Sequence, residues 1–223
     1  MTRKNVLMLS GFALLAILML SAAYTADHVT WLMEVAPVMI AAPVLLFTYR
    51  RFPLTSMLYG LILCHALILI LGGTYTYARV PLGFWLQDVF ALDRNPYDKI
   101  GHFAQGFVPA LVAREILIRC GYVSGRKMAA FLAICVAMAI SAWYELIEWW
   151  AALALGQGAD EFLGTQGDPW DTQSDMFLAF LGASIAMLLL SHLHDRQIAA
   201  VQAPSRLAHD VHPIGASHHD SVR

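Results

Sequence analysis

Charged residues are scarce in this chain, and their scarcity decides its class. Among 223 residues, 13% are Asp, Glu, Lys or Arg and 59% are hydrophobic. Soluble domains carry about 25% charged residues, so an ordinary soluble domain is excluded. The mean hydropathy of +0.60 indicates instead a protein that crosses a membrane several times.

Cysteine is sparse as well. The three cysteines are an odd number; Cys64 and Cys135 stand inside apolar runs, and Cys120 adjoins a basic stretch. Neither a disulfide framework nor a Cys-x-x-Cys zinc motif is indicated, so we interpret all three as packing residues. The chain also lacks a Gly-rich phosphate loop, a nucleophile elbow and nucleic-acid-binding motifs. With a net charge of -2, no nucleic acid is expected among its partners.

Six apolar runs are long enough to cross a bilayer, which takes about 20 mostly apolar residues. The predicted spans are Val6–Tyr24, Trp31–Phe47, Leu54–Gly73, Pro96–Ile118, Lys127–Trp150 and Pro169–His192. The predicted fold class is therefore all-α, a polytopic bundle of six transmembrane helices within residues 1–195. Residues 196–223 are polar without a sustained period, which predicts a disordered tail.

Lysine and arginine predict the orientation of these spans. With a cytoplasmic N-terminus, eleven Lys and Arg residues fall on the inner side and three on the outer side. The positive-inside rule therefore places both termini in the cytoplasm. Twelve of the sixteen Asp and Glu residues then fall in the outer half. The alternative for the first span is a cleaved signal peptide, because Arg3 and Lys4 precede it and Ser21-Ala22-Ala23 resembles a cleavage site.

The outer loop after the third span contains a short amphipathic pattern. Leu82, Trp85, Leu86 and Val89 recur at helical spacing. This pattern predicts a helix lying in the headgroup region of the membrane. The alternative is a lid over a site on the outer side.

Two short stretches resemble each other, and both introduce ionisable groups into apolar helices. Asn95-Pro96-Tyr97-Asp98 is followed by His102, and Asp168-Pro169-Trp170-Asp171 is followed by Asp175. Each predicts a helix start with a capping side chain, proline at the first helical position and an acid that can close a capping box. Each also places a second polar group one turn deeper on the same face. Ionisable groups at that depth are costly and usually functional.

The predicted orientation brings polar groups from four spans to a similar depth on the outer side. The catalytic candidates are His102, Glu145 and Asp175. The groups expected to bind substrate or to orient the catalytic residues are Asp98, Gln105, Glu148, Asp171 and Glu34. The predicted ligands of a divalent metal ion are His102, Glu145, Asp171 and Asp175, which offer imidazole and carboxylate donors. The alternative is that these side chains have only structural roles, as helix caps and in interhelical hydrogen bonds. His65, alone in the third span, is interpreted as a packed, hydrogen-bonded histidine.

Two chemistries and two kinds of function stay open at this point. A metal could activate water or polarise a phosphoryl oxygen. Alternatively, the pKa values of neighbouring acids could differ, so that one acid stays protonated as a donor and another acts as a base. The first functional hypothesis is hydrolysis or transfer at the phosphate of a membrane lipid or lipid-linked headgroup. The alternative is a structural membrane partner or a cation- or proton-coupled carrier, in which Pro37, Pro43 and Pro109 would break helices.

Four stretches resemble a known family of bacterial membrane proteins. They are Trp31–Pro37, Asn95–Phe103, Tyr144–Trp150 and Gly167–Asp171. In these stretches the chain closely resembles the YjdF-type inner membrane proteins, which implies an integral protein of the bacterial inner membrane.

A looser resemblance reaches the VanZ-like superfamily. It rests on Asp98-Lys99, His102-Phe103, Glu145, and either Asp171 or Asp175. VanZ-like proteins carry an arginine before the last of these acids, whereas Asp168-Pro169-Trp170 occupies that place here.

Overall fold

The computed structural model describes residues 2–155 and 166–210, and within them the only regular structure is helical. The long helices are α1 (Arg3–Tyr24), α2 (His28–Thr48), α3 (Ser56–Tyr75), α5 (Tyr97–Arg119), α6 (Arg126–Leu155) and α7 (Asp171–Asp210). A 3-10 turn (Tyr77–Arg79) and the short helix α4 (Pro81–Phe90) connect α3 to α5. The six long helices coincide with the six predicted spans, which confirms the all-α fold class.

Five of the six long helices, all but α5, are long and apolar enough to cross a membrane. Helix α5 has 23 residues and so spans about 35 Å, but polar residues lower its hydropathy. Its Asp98, His102, Gln105, Arg114 and Glu115 are all buried in the protein. Helix α5 is therefore the central helix of the bundle, and protein rather than lipid surrounds its polar side chains.

Helix α5 packs against α3, α6 and α7, and its contact with α7 is the most extensive of the molecule. The two backbones come close at two glycines. A Cβ atom on Gly106 would lie 1.8 Å from the carbonyl oxygen of Ala179, and one on Gly182 would lie 2.1 Å from that of Phe103. Small residues at such contacts let helices approach within a membrane, where dispersion and polar contacts replace the hydrophobic effect.

The apolar core has two parts, one toward each end of the bundle. The outer part surrounds Val35 of α2, Ile70 of α3 and Tyr97 of α5. The inner part lies around Leu111 of α5, with buried alanines of α6 and α7. Prolines do not interrupt these elements: α2 continues through Pro37 and Pro43, and α5 through Pro109.

Helix α4 carries its apolar side chains on an open surface. Leu82 is 47% exposed, Trp85 59% and Val89 56%, while Gly83 is buried against Asn95. Exposed apolar side chains on a short helix are typical of an element lying in the headgroup region. Both the interfacial helix and the lid stay predictions.

The last helix extends past the boundary drawn from the sequence. Helix α7 continues to Asp210, whereas the transmembrane domain predicted from the sequence ends at residue 195. With 40 residues, α7 is about 60 Å long and exceeds the roughly 30 Å hydrocarbon layer. The rest of the predicted tail, residues 211–223, lies outside the described residues.

Candidate functional site

The two similar stretches form two similar helix starts. The Asn95 Oδ1 atom accepts a hydrogen bond from the Tyr97 backbone N–H at 3.0 Å, and the Asp168 Oδ1 atom accepts one from that of Trp170 at 2.9 Å. Because these side chains bond two residues onward, each stretch first makes a turn, and the helices begin at Tyr97 and Asp171. The prediction of proline at the first helical position was therefore wrong, since both prolines precede the helix.

The two helix starts are also joined to each other. One terminal nitrogen of Arg94 lies 3.0 Å from Asp168 and 2.6 Å from Asp171. The Asn95 backbone N–H donates to the Gln166 side-chain oxygen at 3.2 Å, and the Gln166 amide donates back to the Asn95 carbonyl at 3.0 Å. These contacts fix the outer ends of α5 and α7 side by side.

One turn deeper, the same two helices and α6 bring four ionisable side chains together, here named the outer cluster: Asp98, His102, Glu145 and Asp175. The His102 Nε2 atom lies 3.3 Å from Asp98 Oδ1 and 3.8 Å from Asp175 Oδ2. Its Nδ1 atom lies 3.8 Å from Glu145 Oε1. The predicted convergence of His102, Glu145 and Asp175 is thus present in the structure.

The outer cluster is buried, and its polar atoms are incompletely paired. The side chains of His102 and Glu145 are each 7% exposed, and that of Asp175 is 3% exposed. Among the described residues, one atom of each has no hydrogen-bond partner: His102 Nδ1, Glu145 Oε1 and Asp175 Oδ1, joined by Asp98 Oδ2. Buried polar atoms without partners are uncommon and require an explanation, such as a bound ion.

Three of these groups are close enough together to bind one metal ion. Asp98, His102 and Asp175 each offer a donor atom, and the three donor atoms lie within 4.8 Å of one another. The predicted ligand set differs, because it contains Asp171 and Glu145 and assigns Asp98 an orienting role. In the structure Asp171 faces Arg94, while Glu145 faces the opposite nitrogen of the imidazole.

The other predicted site residues lie at the margin of the outer cluster. Glu34 of α2 is 6% exposed and accepts a hydrogen bond from the Tyr144 hydroxyl at 3.1 Å. The Tyr144 ring meets the His102 ring edge-on, with 6.5 Å between centroids. Glu148 is half-buried and stands one turn after Glu145 on α6. Gln105 is buried one turn below the cluster on α5.

The turn between α3 and α4 supports this region from outside the spans. Tyr77 is buried against two glycines, so that a Cβ atom on Gly72 or on Gly101 would meet its ring at 2.4 or 2.7 Å. Burial, together with the charge of Glu34, raises the pKa of Tyr77 well above its usual value. The Tyr77 phenol therefore stays neutral over the whole physiological range.

A second group of charges, which the sequence analysis did not single out, lies at the other end of α5 and α7. We name it the inner cluster: Arg114, Glu115, Arg119, His194 and Asp195. Arg114 is 1% exposed, and Glu115 and His194 are fully buried. A signal was available in the sequence, since Arg114-Glu115 and His194-Asp195 place adjacent ionisable pairs in or beside apolar helices.

The inner cluster differs from the outer one because its main charges are paired. Arg114 donates to Asp195 at 2.6 Å, and Arg119 donates to Glu115 at 2.6 Å. His194 lies between them, with Nδ1 3.3 Å from an Arg114 nitrogen and Nε2 2.9 Å from a Glu115 oxygen. A guanidinium only donates, so Nδ1 accepts and the proton lies on Nε2. The inner cluster is thus a paired network around the His194 imidazole.

His65 differs from its interpretation. Its buried Nε2 atom has no hydrogen-bond partner among the described residues, whereas a hydrogen-bonded ring was expected. Its neighbours along α3 are apolar. His65 is a member of neither cluster.

The fold defines the class of the protein as a multi-pass, all-α membrane protein. A family model described as "Predicted membrane protein (DUF2238)" matches residues 6–196, and the chain belongs to this family. It is 63% identical over 189 residues to the inner membrane protein YjdF of Escherichia coli (strain K12), which covers 85% of this chain and 90% of that protein. No solved structure matches the chain.

These findings confirm the YjdF-type resemblance and the predicted location. The chain is a multi-pass protein of the bacterial inner membrane. The looser VanZ-like resemblance stays a prediction. Asp171 is paired with the guanidinium of Arg94, which stands much earlier in the chain.

Proposed function

We propose that the outer cluster binds a divalent metal ion and that the protein uses it in hydrolysis or transfer at the phosphate of a membrane lipid or lipid-linked headgroup. The observation that carries this proposal is the trio of Asp98, His102 and Asp175, whose donor atoms lie within 4.8 Å of one another. The predicted orientation places this trio on the periplasmic side.

The two distances from His102 to the carboxylates of the trio suit a metal ion. Zinc binds nitrogen and carboxylate oxygen at about 2.0–2.2 Å, so two ligands of one ion lie about 3–4.4 Å apart. The distances of 3.3 and 3.8 Å from the His102 Nε2 atom fall in this range. One imidazole with two carboxylates suits Zn²⁺ or Mn²⁺.

Charge supplies a second argument for a metal. Three carboxylates face His102, and an acid-rich site repels phosphate unless a cation intervenes. A divalent ion offsets two of these charges and can polarise a phosphoryl oxygen. Glu145 lies on the far side of the imidazole, 3.8 Å from Nδ1, where a carboxylate is suited to orient a metal-binding histidine.

The carrier alternative has less support in this structure. A carrier needs access from both faces, but the core between the clusters is built of residues such as Ala110, Leu111 and Met187. Carriers also use interrupted helices, whereas α2 and α5 continue through their prolines.

The test is lipid turnover by the full chain in nanodiscs made from bacterial lipid extract, followed by mass spectrometry. We expect Asp175→Asn to reduce any metal-dependent release of headgroup phosphate at least 100-fold. Asp88→Asn is the control, because Asp88 is an exposed acid of α4 that loses the same charge. Equal turnover in both variants would refute the proposal. Cation uptake into proteoliposomes that Glu145→Gln abolishes would instead establish a carrier.

A further inference from the structure

Asn95, which stands just before α5, has a hydrogen-bond partner for each of its polar groups. Its side-chain oxygen accepts from the Tyr97 backbone N–H at 3.0 Å, and its side-chain amide donates to the Val80 carbonyl at 3.1 Å. Its backbone N–H and carbonyl pair with the Gln166 side chain at 3.2 and 3.0 Å. Asn95 is only 2% exposed, so water cannot readily replace these bonds. This one residue therefore joins the start of α4, the start of α5 and the turn before α7.

The equivalent residue of the other helix start, Asp168, indicates which of these bonds the turn itself needs. Asp168 makes the same turn with a carboxylate, whose oxygen accepts from the Trp170 backbone N–H at 2.9 Å. A carboxylate cannot donate, so the turn needs only an acceptor. The amide donor of Asn95 therefore serves the contact with Val80, the residue that precedes α4. Helix α4 is also fitted closely to this side chain, because a Cβ atom on Gly83 would collide with the Asn95 oxygen.

We propose that Asn95 is a positioning residue of the metal site, through which α4 braces the helix that carries Asp98 and His102. The proposal rests on the proposed function, since it concerns the same metal ligands. The first turn of α5 has a further tie, from the Tyr97 hydroxyl to the Ile68 carbonyl of α3 at 3.1 Å. Groups behind the ligands hold the geometry of metal sites, and loss of one typically weakens metal binding about 10–100-fold. Helix α4 is then a fixed brace rather than a lid, because a moving lid would break the buried bond from Asn95.

The experiment measures the Mn²⁺ affinity of the full chain in nanodiscs by calorimetric titration. Asn95→Ser keeps an oxygen that can accept the hydrogen bond of the turn, but its side chain is too short to reach the Val80 carbonyl. We expect at least tenfold weaker Mn²⁺ binding. Gly83→Ala should have the same effect without changing Asn95, because the new methyl group displaces the Asn95 side chain. Gly60→Ala, whose methyl group meets nothing within 4 Å, is the matched control and should keep the wild-type affinity.

A second comparison separates positioning from a general loss of stability. His194→Ala removes buried hydrogen bonds at the other end of the bundle and should keep the wild-type Mn²⁺ affinity. In samples saturated with Mn²⁺, the electron paramagnetic resonance coupling to the imidazole nitrogen should change in Asn95→Ser and Gly83→Ala only. Absence of Mn²⁺ binding in the wild type would refute the proposed function and this proposal with it. If the wild type binds Mn²⁺, unchanged affinity and coupling in Asn95→Ser and Gly83→Ala, or an equal loss in His194→Ala, would overturn the positioning role alone.

Discussion

At the residue scale, the two buried histidines of α5 and α7 show opposite environments. His194 has both ring nitrogens bonded, one to Arg114 and one to Glu115. His102 faces carboxylates on both sides, at 3.3 to 3.8 Å. The first arrangement is typical of a structural network, because donors and acceptors match. The second is incomplete without a further cation or protons, which is why we assign function to His102.

His194→Ala should destabilise the protein by about 3 kcal/mol, because it leaves Glu115 and Arg114 buried with lost hydrogen bonds. The measurement is the free energy of unfolding in mixed micelles with increasing denaturing detergent. His192→Ala is the control, since His192 is exposed two residues earlier on the same helix. Equal stability of the two variants would show that the inner network contributes nothing.

The sequence predicted the members of the outer cluster but not the partners that decide their roles. His102 and Asp175 could be found because their depth in apolar helices has few structural explanations. The pairing of Arg94 with Asp171 could not be found, since the two residues stand far apart in the chain and meet only through the packing of α5 on α7. Because Asp171 pairs with Arg94, Asp98 takes its place beside His102 and Asp175 in the candidate ligand set.

At the element scale, the contact of α5 with α7 positions the outer cluster. Gly106 lies one turn below His102, and Ala179 lies one turn below Asp175, so the closest backbone approach directly supports the site. The positions of the helices in the chain could be predicted from hydropathy. Their packing against each other could not be predicted, because small residues occur on several helices and the sequence does not tell which of them face each other.

Gly106→Ala should separate α5 from α7, because its Cβ atom would lie 1.8 Å from the Ala179 carbonyl oxygen. We expect a loss of about 2 kcal/mol or more in stability, typical of overpacking, and at least tenfold weaker Mn²⁺ binding. Calorimetric titration of the reconstituted protein measures the binding. In Gly60→Ala, by contrast, the new methyl group meets nothing within 4 Å, so this control should keep both properties. Wild-type affinity in Gly106→Ala would contradict the role given to this contact.

At the scale of the whole molecule, the proposed function requires the outer cluster to face the periplasm. The Lys and Arg distribution predicts that the inner cluster and both termini lie in the cytoplasm. On this prediction the outer cluster faces the periplasm, where lipid headgroups of the outer leaflet are accessible. The helical bundle alone is compatible with either orientation, so this part of the prediction rests on charge.

Native cysteines allow the orientation to be tested without substitutions. Cys120 is exposed in the turn between α5 and α6, which the prediction places in the cytoplasm. A membrane-impermeant maleimide should therefore label it in inverted vesicles and leave it unlabelled in spheroplasts. Cys64 and Cys135 lie within α3 and α6 and should resist labelling from either side, because lipid surrounds them. Labelling of Cys120 in intact spheroplasts would contradict the predicted topology and indicate the opposite orientation.

Binding of a divalent metal by His102 and its carboxylates can be tested by pulsed electron paramagnetic resonance of bound Mn²⁺. The reconstituted wild type should bind one Mn²⁺ and show nitrogen modulation from a coordinated imidazole. His102→Gln should abolish that modulation, and His65→Gln, which changes a half-buried histidine of α3 outside both clusters, should keep it. Absence of bound Mn²⁺ in the wild type, or nitrogen modulation that survives His102→Gln, would contradict the claim.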